Sequence, residues 1–286
     1  MQTFYLENFI GKSEFPFFVQ YGHHEHSLVV HDHADFFELT IVLDGTAMHN
    51  VNGESYFIKK GDVFAVNEML SHSYSECKDF KICNIMFRPD EIFAPFPDLK
   101  HCAGFHSLFV VEPYMVREQK YKNRLRLNIN DFDKVERLID RMIKEYQNCD
   151  AGFVSSVTAY FIELVIFLVR RYDDSKAVND EISTFSRAVA FMERNFTDKV
   201  TVEEIAVIAG MSVRHFQRQF KNTYHITPQE YITYLRMQKA MTQLIRTNDS
   251  ITDVALDCGY QDSSLFARRF RKYTGYSPKE YRLSRK

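Results

Sequence analysis

The chain repeats itself, and no other feature restricts its fold as much. Residues 201 to 231 read TVEEIAVIAGMSVRHFQRQFKNTYHITPQEY, and residues 250 to 281 read SITDVALDCGYQDSSLFARRFRKYTGYSPKEY. At an offset of 49, Val202, Ile205, Ala206 and Gly210 fall on Ile251, Val254, Ala255 and Gly259. After a one-residue insertion the offset is 50, and Phe216, Arg218, Phe220, Pro228, Glu230 and Tyr231 fall on Phe266, Arg268, Phe270, Pro278, Glu280 and Tyr281. Such a register marks one supersecondary unit used twice.

Each copy carries the parts of a helix-turn-helix. Ala206 or Ala255 leaves room for a second helix to cross closely, and Gly210 or Gly259 supplies the positive φ that ends the first helix. Ser212 is the expected N-cap of the next helix in the first copy, and Asp262 or Ser263 in the second. On those second helices Phe216 and Phe220, or Phe266 and Phe270, stand four apart and point to a core. Arg214, Arg218 and Lys221 then point away from it, as do Ser264, Arg268 and Arg271 in the other copy.

A helix with such a face suits the major groove of double-stranded DNA, where arginine pairs with guanine and glutamine with adenine. Arg214, Arg218 and Arg268 are the expected base contacts, with His215, Gln217 and Gln261 on the flanks. Lys221, Arg271 and Lys272 suit phosphates, which give affinity without sequence information. Pro228 to about Ile245 reads as the helix joining the copies, with Tyr231, Leu235, Ala240 and Leu244 as its apolar positions. If both reading helices enter one face of the duplex, they stand about one turn, roughly 34 Å, apart.

Charge agrees with this reading. The whole chain has a net charge of −2, yet residues 181 to 286 hold 17 Lys and Arg against 11 Asp and Glu. A basic end on an otherwise acidic chain points to a polyanion. With 286 residues and 26% charged residues, the composition is that of two folded domains. The five cysteines, Cys77, Cys83, Cys102, Cys149 and Cys258, include no C-x-x-C pair, which fits a reducing compartment. The amino end has no positive segment followed by an apolar run, so a cytoplasmic location is expected.

Residues 1 to about 125 read as strands and turns. Phe36 to Leu43 is rich in β-formers and ends at Asp44-Gly45, and Met48 to Val51 leads through Asn52-Gly53 into Ser55 to Ile58 as a hairpin. Val63 to Val66, Ser71 to Ser75 and Phe80 to Phe87 follow as short strands, and together they suggest a small barrel or jelly roll. Phe4, Tyr5, Phe9, Phe15, Phe17 and Phe18 either lid that barrel or complete its core. Glu38, Thr40 and Val42 share one strand face opposite Leu39, Ile41 and Leu43, and the pattern leaves open which face is inside. His23, His24 and His26 read as loop residues without a role.

From Asp131 the period becomes helical, through Phe132, Val135, Leu138, Ile139, Met142, Ile143 and Tyr146. Phe153 to Tyr172 is a second helix, apolar on most of its surface, and its Ser155, Ser156, Thr158 and Glu163 argue for a buried helix rather than a membrane span. The pair spans residues 126 to 175. It either makes a homodimer contact or packs on the barrel. Residues 172 to 180 are polar and aperiodic, the best linker candidate.

Taken together, residues 182 to 286 resemble the AraC/XylS family of bacterial transcription regulators. The resemblance rests on Ile205-Ala206, Gly210-Met-Ser, Phe216 with Phe220, Ile226-Thr-Pro-x-x-Tyr231, Arg236, Ala240, Val254-Ala255, Cys258-Gly259-Tyr260, Phe266 to Phe270 and Gly275-Tyr-Ser-Pro-x-x-Tyr-Arg282. His225 departs from it, standing where the family usually has glycine before Thr-Pro, and a different loop conformation is the expectation. The resemblance implies an α+β chain: an amino-terminal cupin barrel, residues 1–125, that senses a small molecule, often a sugar; the helical linker; and an all-α DNA-binding domain, residues 181–286. It also implies action on transcription, with RNA polymerase as a further partner, and leaves open whether the chain is an activator or a repressor.

His31-x-His33-x4-Glu38-x6-Gly45 resembles the first cupin motif, and Gly61 to His72 the second, with Asn67 and Met69 in place of its usual proline and glycine. In cupin enzymes the positions of His31, His33, Glu38 and His72 bind a divalent metal. Here they are candidates for effector contacts or for such an ion, and no cofactor is required by the regulator reading. Two alternatives stand beside it: a metal-dependent cupin enzyme joined to a DNA-binding tail, and a DNA binder without effector.

Overall fold

The computed structural model describes residues 2–10, 14–68, 70–117, 124–174 and 180–285. The chain divides into two compact units, Met1–Ser186 and Arg187–Lys286.

The first unit is built on two long strands, β4 (Phe37–Val51) and β7 (Ser71–Phe87), which pair antiparallel almost throughout. Around them lie β1 (Gln2–Phe4), β2 (Phe17–His24), β3 (His31–His33), β5 (Glu54–Lys59), β6 (Asp62–Val66) and β8 (Leu125–Arg126). The pairing order is β1-β3-β7-β4-β6-β8, with β2 on β7 and β5 on β4, and among the described residues this mixed sheet does not close into a ring. The cupin-like fold of strands expected for the first domain is present, in the form of an open mixed sheet.

The breaks expected at Asp44-Gly45 and between Ser75 and Phe80 are bulges, not strand ends. Register shifts run from Val42 to Met48, where Gly45 takes φ +69° against the Lys78 and Asp79 carbonyls, while Glu76 and Asp79 also have positive φ. A bulge on both partners lets the ladder bend without ending. The hairpin at Asn52-Gly53 forms as expected: Val51 pairs with Glu54, and both turn residues have the positive φ that a two-residue I′ turn demands.

Bending the long strands brings their two halves face to face. The first half of β4 pairs with β6 and its second half with β5, yet the His49 ring stacks on Phe64 of β6 at 4.5 Å. Both faces of β4 are consequently buried. Glu38 and Thr40 face the interior, whereas Leu39 and Ile41, beside Ile85 and Cys83, face the helical pair.

That pair is α5 (Ile129–Asn148) and α6 (Phe153–Asp174). Phe161 of α6 packs on Phe17 and Phe87, the Tyr146 hydroxyl donates to the Phe17 carbonyl, and the Tyr21 hydroxyl bonds Asp140. The pair packs on the sheet through its apolar stripe, which includes Val135, Leu138 and Ile139 of α5. By length and hydropathy α6 resembles a membrane span, but Phe161, Leu164, Val165 and Leu168 are fully buried against protein.

Residues 89 to 117 are helical, contrary to the all-strand expectation. They form α2 (Pro89–Ile92), a 3-10 turn (Pro97–His101), α3 (Ala103–His106), a π turn (Ser107–Val111) and α4 (Glu112–Arg117). Each is too short for a readable period, and Phe93, Phe105 and Phe109 instead form one aromatic cluster with Phe87. His23 and His24 are also reassigned: both belong to β2, opposite Lys81 and Phe80. The amino-terminal aromatics divide. Phe4, Phe9 and Phe18 pack around Leu6, Phe36 and Met86, beside α1 (Glu7–Ile10), while Phe15 and Phe17 turn towards α6; Tyr5 is exposed.

The second unit contains the end of α7 (Asp180–Asn195), then α8 (Val202–Ile208), α9 (Val213–Tyr224), α10 (Pro228–Arg246), α11 (Ile251–Asp257), α12 (Ser263–Thr274) and α13 (Pro278–Arg285). Of the expected linker, residues 172–174 close α6 and residues 175–179 lie outside the described residues.

Candidate functional site: the paired reading helices and the buried histidine cluster

Both helix-turn-helix copies fold by the same local chemistry. Gly210 follows α8 with φ +66° and Gly259 follows α11 with φ +82°, and in each the next amide reaches back to the alanine carbonyl, Met211 to Ala206 and Tyr260 to Ala255, at 2.9 Å. These are Schellman closures, which only a residue at ease with positive φ permits. Ser212 caps α9 through the His215 amide; Asp262, not Ser263, caps α12 by accepting from the Ser264 and Leu265 amides. Capping boxes precede α8 and α10, through Thr201 with Glu204 and Thr227 with Glu230. Reciprocal bonds between Ser277 and Glu280 repeat the device before α13.

Phe216, Gln219, Phe220 and Thr223 form the buried side of α9, and Phe266 and Phe270 that of α12. Truncating such a phenylalanine costs about 3–5 kcal/mol, so the orientation of each helix is firmly held. Arg214, Gln217, Arg218 and Lys221 are exposed on α9 and His215 is half-buried; Gln261, Ser264, Arg268, Arg271 and Lys272 are exposed in the second copy. Spacings of four and seven put Arg214, Arg218 and Lys221 on one face, and likewise Ser264, Arg268 and Arg271.

Two arginines that the sequence placed only among the positions of the resemblance take a structural role. Arg236 of α10 donates to the carbonyls of Phe196 and Asp198, ahead of the first copy, and Arg282 of α13 donates to those of Leu244 and Asp249, ahead of the second. Each ties down the chain entering its reading module. His225 ends α9 with φ +62°, close to the +81° of Gly275 after α12. The loop before Thr227 therefore keeps the glycine-like conformation rather than the different one expected, at a steric cost.

In the first unit, His31 and His33 of β3, Glu38 of β4 and His72 of β7 come together, with one ligating atom from each lying within 4.8 Å of the others. His33, Glu38 and His72 are buried, and His31 is partly so. His31 and His72 are partners in the ladder. His72 Nε2 lies 3.3 Å from His33 Nε2, and Glu38 Oε2 lies 3.6 Å from the same nitrogen.

Burial, reinforced by His31, pushes the His33 imidazole down to about 3, and burial holds His49 and His72 well below the ordinary histidine range. His33 is thus neutral at physiological pH, and its approach to Glu38 is not an ion pair. Burial raises Glu38 to about 7, opposed by the hydrogen bond its Oε1 accepts from the Thr40 hydroxyl at 3.0 Å. Sequence reasoning missed His49. Its ring lies between Phe64 and Tyr74, with Nε2 at 3.2 Å from His72 Nδ1. Arg124 stacks over the far reach of the same interior, 4.4 Å from the Phe64 ring centre.

The model for an AraC-like ligand binding domain matches residues 15–112, and a helix-turn-helix domain model matches residues 205–284. Over 253 residues the chain is 30% identical to the HTH-type transcriptional activator RhaS of Escherichia fergusonii and 29% identical to RhaS of an Enterobacter species; each alignment covers 88% of this chain and 87% of the relative. A solved regulator from Chromobacterium violaceum with an AraC-type DNA-binding domain is 30% identical, over 36% of this chain and 91% of that one, with a TM-score of 0.34. These relatives are transcription regulators, not enzymes.

Proposed function

The chain belongs to the AraC family of helix-turn-helix transcription regulators, and from that premise we propose that it activates transcription when a small polyhydroxylated molecule, a sugar, occupies the interior of its first unit. The DNA-binding part is carried by the duplicated basic face. Arg214, Arg218 and Arg268 read bases, with His215, Gln217, Gln261 and Ser264 beside them, while Lys221, Arg271 and Lys272 neutralise phosphates. Activation follows from the relatives' role and makes RNA polymerase a further partner. Two chains assemble through the helical pair, where Ile129 and Val154 remain exposed, and the protein works in the cytoplasm, where the chromosome lies.

A sugar suits the interior because aromatic faces alternate with hydrogen-bonding edges there. Phe64, His49 and Tyr74 stack, and Thr40 and Asn84 bond one another beside them. Few precisely placed polar groups among apolar walls are what a small-molecule site requires. An effector of this kind acts by binding one arrangement of the chain better than another.

Genomic footprinting of the bound protein will identify its promoters, and thermal unfolding of the full chain against a panel of monosaccharides will test the effector. One sugar is expected to raise the midpoint of the first unit in a concentration-dependent way. No response from any member of a broad panel would remove the sugar from this reading and leave the DNA binding intact.

A further inference from the structure

We propose that Arg236 and Tyr260 form a joint between the two helix-turn-helix copies, and that this joint fixes the spacing of half-sites that the chain accepts on DNA. The proposal rests on both reading helices engaging one duplex, and its test separates the joint from that reading.

Two copies connected by a helix alone would keep freedom to bend and twist along it, so the length of α10 does not by itself register α12 against α9. The connecting helix does serve both copies. Near its start the Tyr231 ring packs on Phe220 and Tyr224 of the first copy. Further along, Met237, Ala240 and Leu244 share one buried core with Val254, Ala255, Tyr260, Phe266 and Phe270 of the second.

The observation that carries the inference is a second contact, made by residues outside α10. Arg236 stands between the two groups of α10 contacts. Its Nε donates to the Phe196 carbonyl at 2.6 Å, and a terminal nitrogen donates to the Asp198 carbonyl at 2.9 Å, both in the chain that enters the first copy. The same guanidinium lies 5.4 Å from the ring centre of Tyr260, whose amide closes the turn of the second copy on Ala255. Between the two carbonyls held by Arg236 is that of Thr197, and it abuts Gly259, where a Cβ would stand 2.2 Å from the oxygen. The peptide groups ahead of α8 are thereby seated against the turn between α11 and α12.

Arginine suits this position because a planar fork can serve two acceptors while its face lies on a ring, which the point charge of a lysine cannot do. The bonds are charge-assisted and the side chain is half-buried, so the joint is stiffer than an exposed contact. On DNA, one added base pair moves the second half-site by about 3.4 Å and turns it by roughly 35°. A fixed joint cannot follow that displacement. A loosened one can, but it presents the second helix at a lower effective concentration and binds the natural spacing more weakly.

The experiment measures binding of the full chain to a promoter fragment recovered by footprinting, in four forms: natural, with one base pair inserted between the half-sites, with one removed, and with the half-site of α12 scrambled. The wild-type chain should lose about 30-fold or more on either change of spacing. Arg236→Gln and Tyr260→Leu should each bind the natural fragment about 10-fold more weakly, lose less than about 3-fold more when the spacing changes, and match wild type on the scrambled fragment. Tyr260→Phe keeps the ring beside the guanidinium and should behave as wild type. Circular dichroism reports the fold of each variant, and either of the first two suffices for the test. A spacing penalty as large as that of wild type in a folded Arg236→Gln or Tyr260→Leu chain overturns the joint, as does an equal loss on all four fragments, which is what a general structural defect would give. A wild-type chain indifferent to spacing overturns it as well. Failure of the wild-type chain to bind any form would instead sink the two-helix reading beneath it.

Discussion

At Gly210, in the first helix-turn-helix copy, nothing lies within 4 Å of where a Cβ would stand, whereas at Gly259, in the second, a Cβ would drive into the Thr197 carbonyl. The two glycines occupy equivalent turns with similar φ, so the repeat preserves a backbone conformation while its surroundings differ. The other end of the module shows the reverse inequality. The residue closing α9 is His225 at φ +62°, and the one closing α12 is Gly275 at φ +81°. The first copy thus bears its strain after the reading helix, and the second its tight packing before it. One sequence position has one conformational demand in both copies, but the steric demand is set by what the rest of the unit places there.

Mutation of the two glycines should give the largest contrast. Gly259→Ala combines a forced positive φ with a backbone clash and should cost about 3 kcal/mol or more, against about 1 kcal/mol for Gly210→Ala. Urea unfolding of the full chain, followed through the second unit, measures both. Equal losses would mean that Thr197 yields and the packing difference is illusory.

The comparison sharpens on DNA. Arg218→Ala and Arg268→Ala should each lose about 1–3 kcal/mol on a specific site and much less on random duplex, whereas Lys221→Ala should weaken every sequence alike and flatten the salt dependence. Mobility-shift titrations at two salt concentrations separate the cases. If either arginine loses as much on random DNA as on its site, that copy grips phosphate and does not read bases.

The smallest effect concerns the closing residues. His225→Gly should stabilise the second unit by about 0.5–1 kcal/mol, and Gly275→Ala should destabilise it by about 1 kcal/mol. Thermal unfolding will read opposite signs if the left-handed conformation is the cost, and a destabilising His225→Gly would show that the histidine side chain contributes more than its backbone loses.

Legibility followed the range of the interactions involved. The helix-turn-helix copies, their caps and the faces of α9 and α12 depend on residues two to eight apart, and spacing alone placed Arg214, Arg218 and Arg268 on the exposed side where the structure has them. Even there, local reading stopped short of Arg236 and Arg282, whose carbonyl partners are 33 to 40 residues away. In the first unit the cupin-like spacing identified His31, His33, Glu38 and His72, but not His49, which lies between the two motifs and meets His72 across 23 residues. Residues 89 to 117 gave no helical period because no helix there is long enough to show one.

The amino-acid order alone determined a duplicated DNA-binding module with a basic face on each reading helix, since those properties are carried by helical periodicity, capping side chains and the glycines that end helices. Tertiary structure decided that β4 and β7 bend through paired bulges, that β4 buries both its faces, and that a fourth histidine, His49, stands behind the cluster. Strand alternation assigns residues to two faces without saying what covers either one. Only the packing of α5 and α6 on one side, and the facing halves of the sheet on the other, turned Glu38 and Thr40 inward to the histidines.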